Sequence, residues 1–83
     1  MEVAQAVLEL TMEVEAAWYR AVAAQQVADM RTAVAEGAGA AAELAQRFFD
    51  AGNISELQLK REQAVATQAR IEAARARAEA LRE

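Results

Sequence analysis

The sequence predicts an all-α fold, a long antiparallel helical hairpin of coiled-coil type, and three observations predict it. The 83 residues include 24 alanines and no proline, with many Glu, Gln, Arg and Leu, all of which lose little entropy in a helix. A single strong break, Asp50-Ala51-Gly52-Asn53-Ile54-Ser55, interrupts an otherwise unbroken helical pattern. Apolar residues recur at spacings of three and four on both sides of that break.

Helix 1 is expected over about 4–50. Val27, Met30, Val34, Gly37, Ala41, Leu44, Phe48 and Ala51 alternate spacings of three and four and form an apolar seam running into the turn. Further up, Val7, Leu10, Val14, Ala17, Ala21, Ala24 and Ala28 form a similar stripe on a shifted face. Phe48 is expected in the core and Phe49, one step round, exposed at the hairpin tip. Trp18 and Tyr19 cannot both face one seam, so one of them is expected to meet a neighbouring element. Gly37 and Gly39 cost up to about 1 kcal/mol each relative to Ala; they mark a bend or close crossing, or are weakness tolerated by a long helix.

The turn is expected at 51–54. Gly52 suits the left-handed residue that ends a helix, and Asn53 or Ser55 suits the cap of the next one. Gln58 stands three residues after Ser55 and completes a Ser-x-x-Gln capping box. Helix 2 is then expected over about 55–82. Leu57, Ala64, Ile71 and Ala78 mark one of its stripes; Leu59, Ala66, Ala69, Ala73, Ala76 and Ala80 mark another. At about 1.5 Å per residue the helices would span roughly 70 and 42 Å, which leaves the first ~18 residues of helix 1 without a partner. A continuation of helix 2 beyond Glu83 would cover them, because Leu81-Arg82-Glu83 carries no stop signal. The chain reads as one hairpin, 1–83, cut from a larger helical protein.

Composition restricts function. The hydrophobic fraction of 55% is about half Ala. At about 25 cal/mol per Å², an Ala core stabilises weakly, so the hairpin should seek partners. The net charge is −4, with eight acids against three bases in residues 1–50 and five against six in 51–83. The opposite bias favours antiparallel pairing, and the acidic balance argues against nucleic acid. Arg70, Arg75, Arg77 and Arg82 are interleaved with Glu72 and Glu79, the pattern of a solvated face. Cys and His are absent, and Thr11, Thr32, Ser55, Thr67 and Tyr19 have no base beside them. No phosphate loop or nucleotide fingerprint occurs, so the expectation is no enzyme, no metal and no cofactor. There is no run of apolar residues long enough for a transmembrane helix, and no signal peptide is visible.

The run Arg47-Phe48-Phe49-Asp50-Ala51-Gly52-Asn53-Ile54-Ser55-Glu56-Leu57 resembles the "G-x-I/V-S-x-L-D" turn of TolC-type outer membrane efflux proteins. Ala16-Ala17-Trp18-Tyr19-Arg20-Ala21 resembles an aromatic-containing stretch about thirty residues upstream in the same family, and Arg61 through Leu81 its returning helix. The resemblance covers nearly the whole chain. It implies a trimeric tunnel whose periplasmic helical hairpins meet a periplasmic adaptor protein, with Ala51, Gly52, Asn53, Ile54 and Ser55 as the adaptor-contacting tip. It also implies a location on the periplasmic side of the outer membrane. The residues expected to pack helices are Val27, Met30, Val34, Leu44, Phe48, Leu57, Ala64 and Ile71. The sequence departs from the family at Gln58, where an acid is usual, and lacks the family's β-strands, second repeat and export signal. Two alternatives stand beside this reading. Adaptor (membrane fusion) proteins share the "G-x-I-S" turn, although their pattern would place Arg at position 44. A free-standing dimeric four-helix bundle is the other.

Overall fold

The computed structural model describes residues 2–82 and contains two helices, α1 (Glu2–Asp50) and α2 (Glu56–Arg82). They fold back on each other as an antiparallel hairpin. The Cα trace measures 76 × 14 × 13 Å. Its radius of gyration is 21.1 Å, against about 12 Å for a compact domain of this length. Subtracting a Cα radius of about 2.3 Å on each side of the 14 Å width leaves the helix axes no more than about 9 Å apart. Small side chains make that approach possible.

The turn is built as the sequence predicts. Gly52 has a φ of 80°. Its N–H donates to the Phe49 carbonyl at 2.9 Å, and the Asn53 N–H donates to the Phe48 carbonyl at 2.8 Å. Those two bonds make a Schellman ending, which satisfies carbonyls that the last helical turn leaves open. Of the two cap candidates the structure selects Ser55. The Gln58 N–H donates to Ser55 Oγ at 3.1 Å, and the Ser55 N–H donates to Gln58 Oε1 at 3.1 Å. Both halves of the capping box are therefore present. Ser55→Ala removes one half and should lower hairpin stability by about 1 kcal/mol, read as a lower urea midpoint with unchanged slope.

The seam between the helices does not run where the larger apolar residues are. In α1 it follows Ala21, Ala24, Ala28, Arg31, Ala35, Ala38, Ala42, Ala45 and Phe49, at alternating spacings of three and four. In α2 it follows Leu59, Ala66, Ala69, Ala73, Ala76 and Ala80, the second stripe read from the sequence. Among the described residues the buried ones are Ala28, Ala45, Leu59, Ala66, Ala69 and Ala73. Hence Val27, Met30, Val34, Leu44 and Phe48, expected to form the seam running into the turn, lie outside it at 43–52% exposure. Leu57, Ala64 and Ile71 are also exposed. The correction extends to the aromatics, since Phe49 is half-buried and Phe48 exposed. The reason is geometric: the Ala21–Ala28 stripe continues in phase to Phe49, and a narrow hairpin closes on its smallest faces.

Polar groups complete the interface. Arg31 Nη1 donates to Glu72 Oε2 at 3.0 Å across the helices, with both side chains about 40% exposed. This pair runs opposite to the net bias, a base of α1 meeting an acid of α2. Gln63 Nε2 donates to Gln46 Oε1 at 3.4 Å nearer the tip. α1 runs unbroken through Gly37 and Gly39. A Cβ at position 39 would meet the Arg70 guanidinium at 3.7 Å, ordinary contact, and one at position 37 would meet nothing. Alanine fits at either site, which makes both glycines tolerated weakness.

Candidate partner-binding surfaces

Three surfaces of the rod stand exposed. The first is the tip. Ala51, Gly52, Asn53 and Ser55 are exposed, and space is open around the Gly52 Cα. Ile54 differs from the other four. It is half-buried and lines an open groove of about 450 Å³ with Ala41, Leu44, Ala45, Phe48, Gln58, Arg61 and Glu62. The Ser55 hydroxyl and the Gln58 amide are engaged in the cap. The departure at position 58 from the acid usual in the resembled family therefore leaves a residue that still caps the helix.

The second surface is the apolar side of α1. On a heptad projection, Val27, Val34 and Phe48 fall about 100° from Ala28, Ala35 and Phe49, and Met30 and Leu44 fall farther round on the same side. Leu57 (60% exposed) and Ile71 (42%) lie on the outer face of α2, roughly opposite its seam. Placed thus, all eight helix-packing candidates face outward. The opposite flank of α1 is acidic, with Asp29, Glu36, Glu43 and Asp50 seven residues apart. Gln25 donates to Asp29 at 3.0 Å and Gln46 to Asp50 at 2.9 Å. Glu36 and Glu43 border a groove of about 550 Å³ together with Arg70 and Arg77. The hairpin thus has one greasy flank and one charged flank.

The third surface is the overhang. Every residue from 2 through 20 is exposed, and half-burial begins at Ala21. Trp18 and Tyr19 are 60% and 64% exposed and meet each other edge to face, with ring centroids 5.1 Å apart. Exposed to this degree, neither is covered by α2 among the described residues.

Among the described residues, no group of acidic or sulfur- or nitrogen-bearing side chains could hold a metal ion, and no helix is long and apolar enough to cross a membrane. Thr11, Thr32 and Thr67 donate their hydroxyls to carbonyls four residues back, at 2.8–3.0 Å. What sequence reasoning missed is the in-phase continuation of the upper Ala stripe through residues 31–49. The signal was present, but its residues are smaller than those of the neighbouring face. Comparison with known proteins finds no matching family model, no matching curated sequence and no matching solved structure.

Proposed function

We propose that this chain is a structural component of a transport tunnel, a hairpin of the TolC type that packs laterally into a helical wall and presents its tip to a periplasmic adaptor protein. The observation that carries the reading is the inverted distribution of side-chain size. Five alanines and one leucine make the buried core, while residues as large as Phe48, Leu44, Met30 and Ile71 stand exposed. The accessible surface is 6348 Å², about 1,500 Å² more than the roughly 4,900 Å² of a compact monomer of this mass. About 800 Å² per partner makes a standard interface, so the excess covers one such interface and most of a second. A hairpin in a helical wall has such a need: one thin seam within itself and larger seams beside it. The tip supports adaptor docking because its residues are small and its backbone is accessible. In this reading the protein works on the periplasmic side of the outer membrane and performs no catalysis.

Gly52 is a poor position for testing the docking, because its positive φ makes any replacement a stability change first. Ala51→Arg and Asn53→Arg add bulk at exposed tip positions instead. The measurement is binding of the chain to purified adaptor hairpins by surface plasmon resonance, with helicity followed by circular dichroism. The expected result is binding lost in both variants at unchanged helicity. Absence of binding by the parent chain to a broad panel of adaptor hairpins, or equal binding by the variants, overturns the proposal. A discrete dimer that ignores every adaptor would instead support the four-helix bundle, built on the groove between Phe48, Leu44 and Ile54.

A further inference from the structure

The overhang continues an interface that is already in use. Val3, Val7, Leu10, Val14 and Ala17 lead into Ala21, Ala24 and Ala28 at alternating spacings of four and three, without a change of phase. From Ala21 onward this line is the seam that α2 occupies. Before Ala21 the same line is bare: Val3 is 77% exposed, Val7 59%, Leu10 61% and Val14 61%. Its side chains are larger than those of the occupied part, so a helix seated there buries more apolar area per turn than α2 does.

Charge indicates what would seat there. The paired part of α1, residues 21–50, holds four acids and two bases, and its partner α2 holds four acids and six bases. By net charge an acidic stretch is thus matched with a basic helix, even though the individual pair Arg31–Glu72 has the opposite sense. Residues 2–20 hold four glutamates and one arginine, a formal −3. Glu13 and Glu15 fall one residue either side of Val14, beside the line. Two overhangs of separate copies placed side by side would bring −3 against −3, which disfavours self-pairing.

We propose that the N-terminal overhang of α1 docks a basic helix about 19 residues (roughly 28 Å) long, antiparallel to α1 and in line with α2. The occupant presents small or aliphatic residues at heptad spacing, flanked by Lys or Arg. This site is separate from the tip, and its success or failure does not depend on adaptor docking.

Trp18 is the protein's one tryptophan and lies beside the line, four residues after Val14, so its emission reports occupancy directly. The full chain is titrated with two synthetic 21-residue helical peptides sharing one Leu/Ala heptad pattern, one flanked by Lys and Arg and the other by Glu. The basic peptide is expected to shift Trp18 emission to the blue saturably, and the acidic peptide is not. Leu10→Glu and Val14→Glu should weaken the basic peptide by roughly tenfold or more, since each removes a buried aliphatic side chain from the contact. Met12→Glu, on the far side of the helix, should leave binding within about twofold. These variants lie outside the α1–α2 seam, so hairpin helicity should be unchanged and is measured alongside. Equal binding of both peptides, equal sensitivity at positions 10 and 12, or a concentration-dependent blue shift of the chain alone would overturn the proposal. The last result would mean that a second copy covers the line.

Discussion

Ala66→Asp should unfold most of the hairpin, whereas Ala64→Asp, two residues away, should be tolerated. Ala66 is 1% exposed and sits where the helix axes are no more than about 9 Å apart. Aspartate is too short to carry its carboxylate out of that seam. A charge left there without a partner costs about 3 kcal/mol or more, and few alanine methyls at about 0.8 kcal/mol each are available to offset it. Ala64 is exposed on the outer face, so its replacement loses only helix propensity, about 0.5 kcal/mol. Urea melts followed by far-ultraviolet circular dichroism should separate the two variants by several-fold in midpoint. Relative to the parent, acid should return part of the Ala66→Asp loss. Burial raises the carboxyl pKa in the folded state, so the penalty is absent below the unfolded value and grows as pH rises toward and through the folded one. Equal midpoints for the two variants would mean that the seam has been placed on the wrong face.

Gly52→Val should cost about 2 kcal/mol, and for a different reason. Nothing lies within 4 Å of the position a Cβ would take, so the substitution meets no neighbour. The cost is conformational: at φ 80° an L-residue brings its Cβ too close to the following carbonyl, about 1–2 kcal/mol, and β-branching adds to it. The series Asn, Ala, Val at this position should therefore lose stability in that order, while a semi-synthetic D-Ala should lose none and gain a few tenths of a kcal/mol by restricting the unfolded chain. Thermal unfolding of the four variants checks the ranking. If D-Ala proved as costly as Val, crowding and not handedness would govern the site.

The contrast between these two positions shows what could be read from the residues. The turn was legible because its chemistry is local. A glycine that must be left-handed, followed by Ser-x-x-Gln, has few structural solutions, and the backbone took the one that fits. Helix existence was legible because nothing in residues 2–50 breaks one. The face of contact in α1 was not, because size misleads when a helix has apolar residues on several sides. Val27, Val34 and Phe48 form the more conspicuous stripe, yet the close approach of a single partner selects Ala28, Ala35 and Ala45. In α2 both stripes were visible, but Leu57, Ala64 and Ile71 were expected to pack and are exposed, while the seam follows the smaller residues of the Leu59–Ala80 stripe. The exposed loop 51–55 followed from the turn; only Ile54 departs from it, half-buried at the edge of a groove that Phe48 also lines.

A hairpin of two straight rods orders its contacts by distance from the bend. Gln46 and Gln63, hydrogen-bonded across the helices near the bend, are seventeen residues apart along the chain, while Gln25 and Ala80, which border a common hollow at the other end, are fifty-five apart. The entropy lost in closing a loop grows with its length, so contacts beside Gly52 form at the least cost, and each pair gained brings the next within reach. Zippering therefore proceeds from the bend toward Ala21 and Ala80, and those pairs are the last to close and the first to fray.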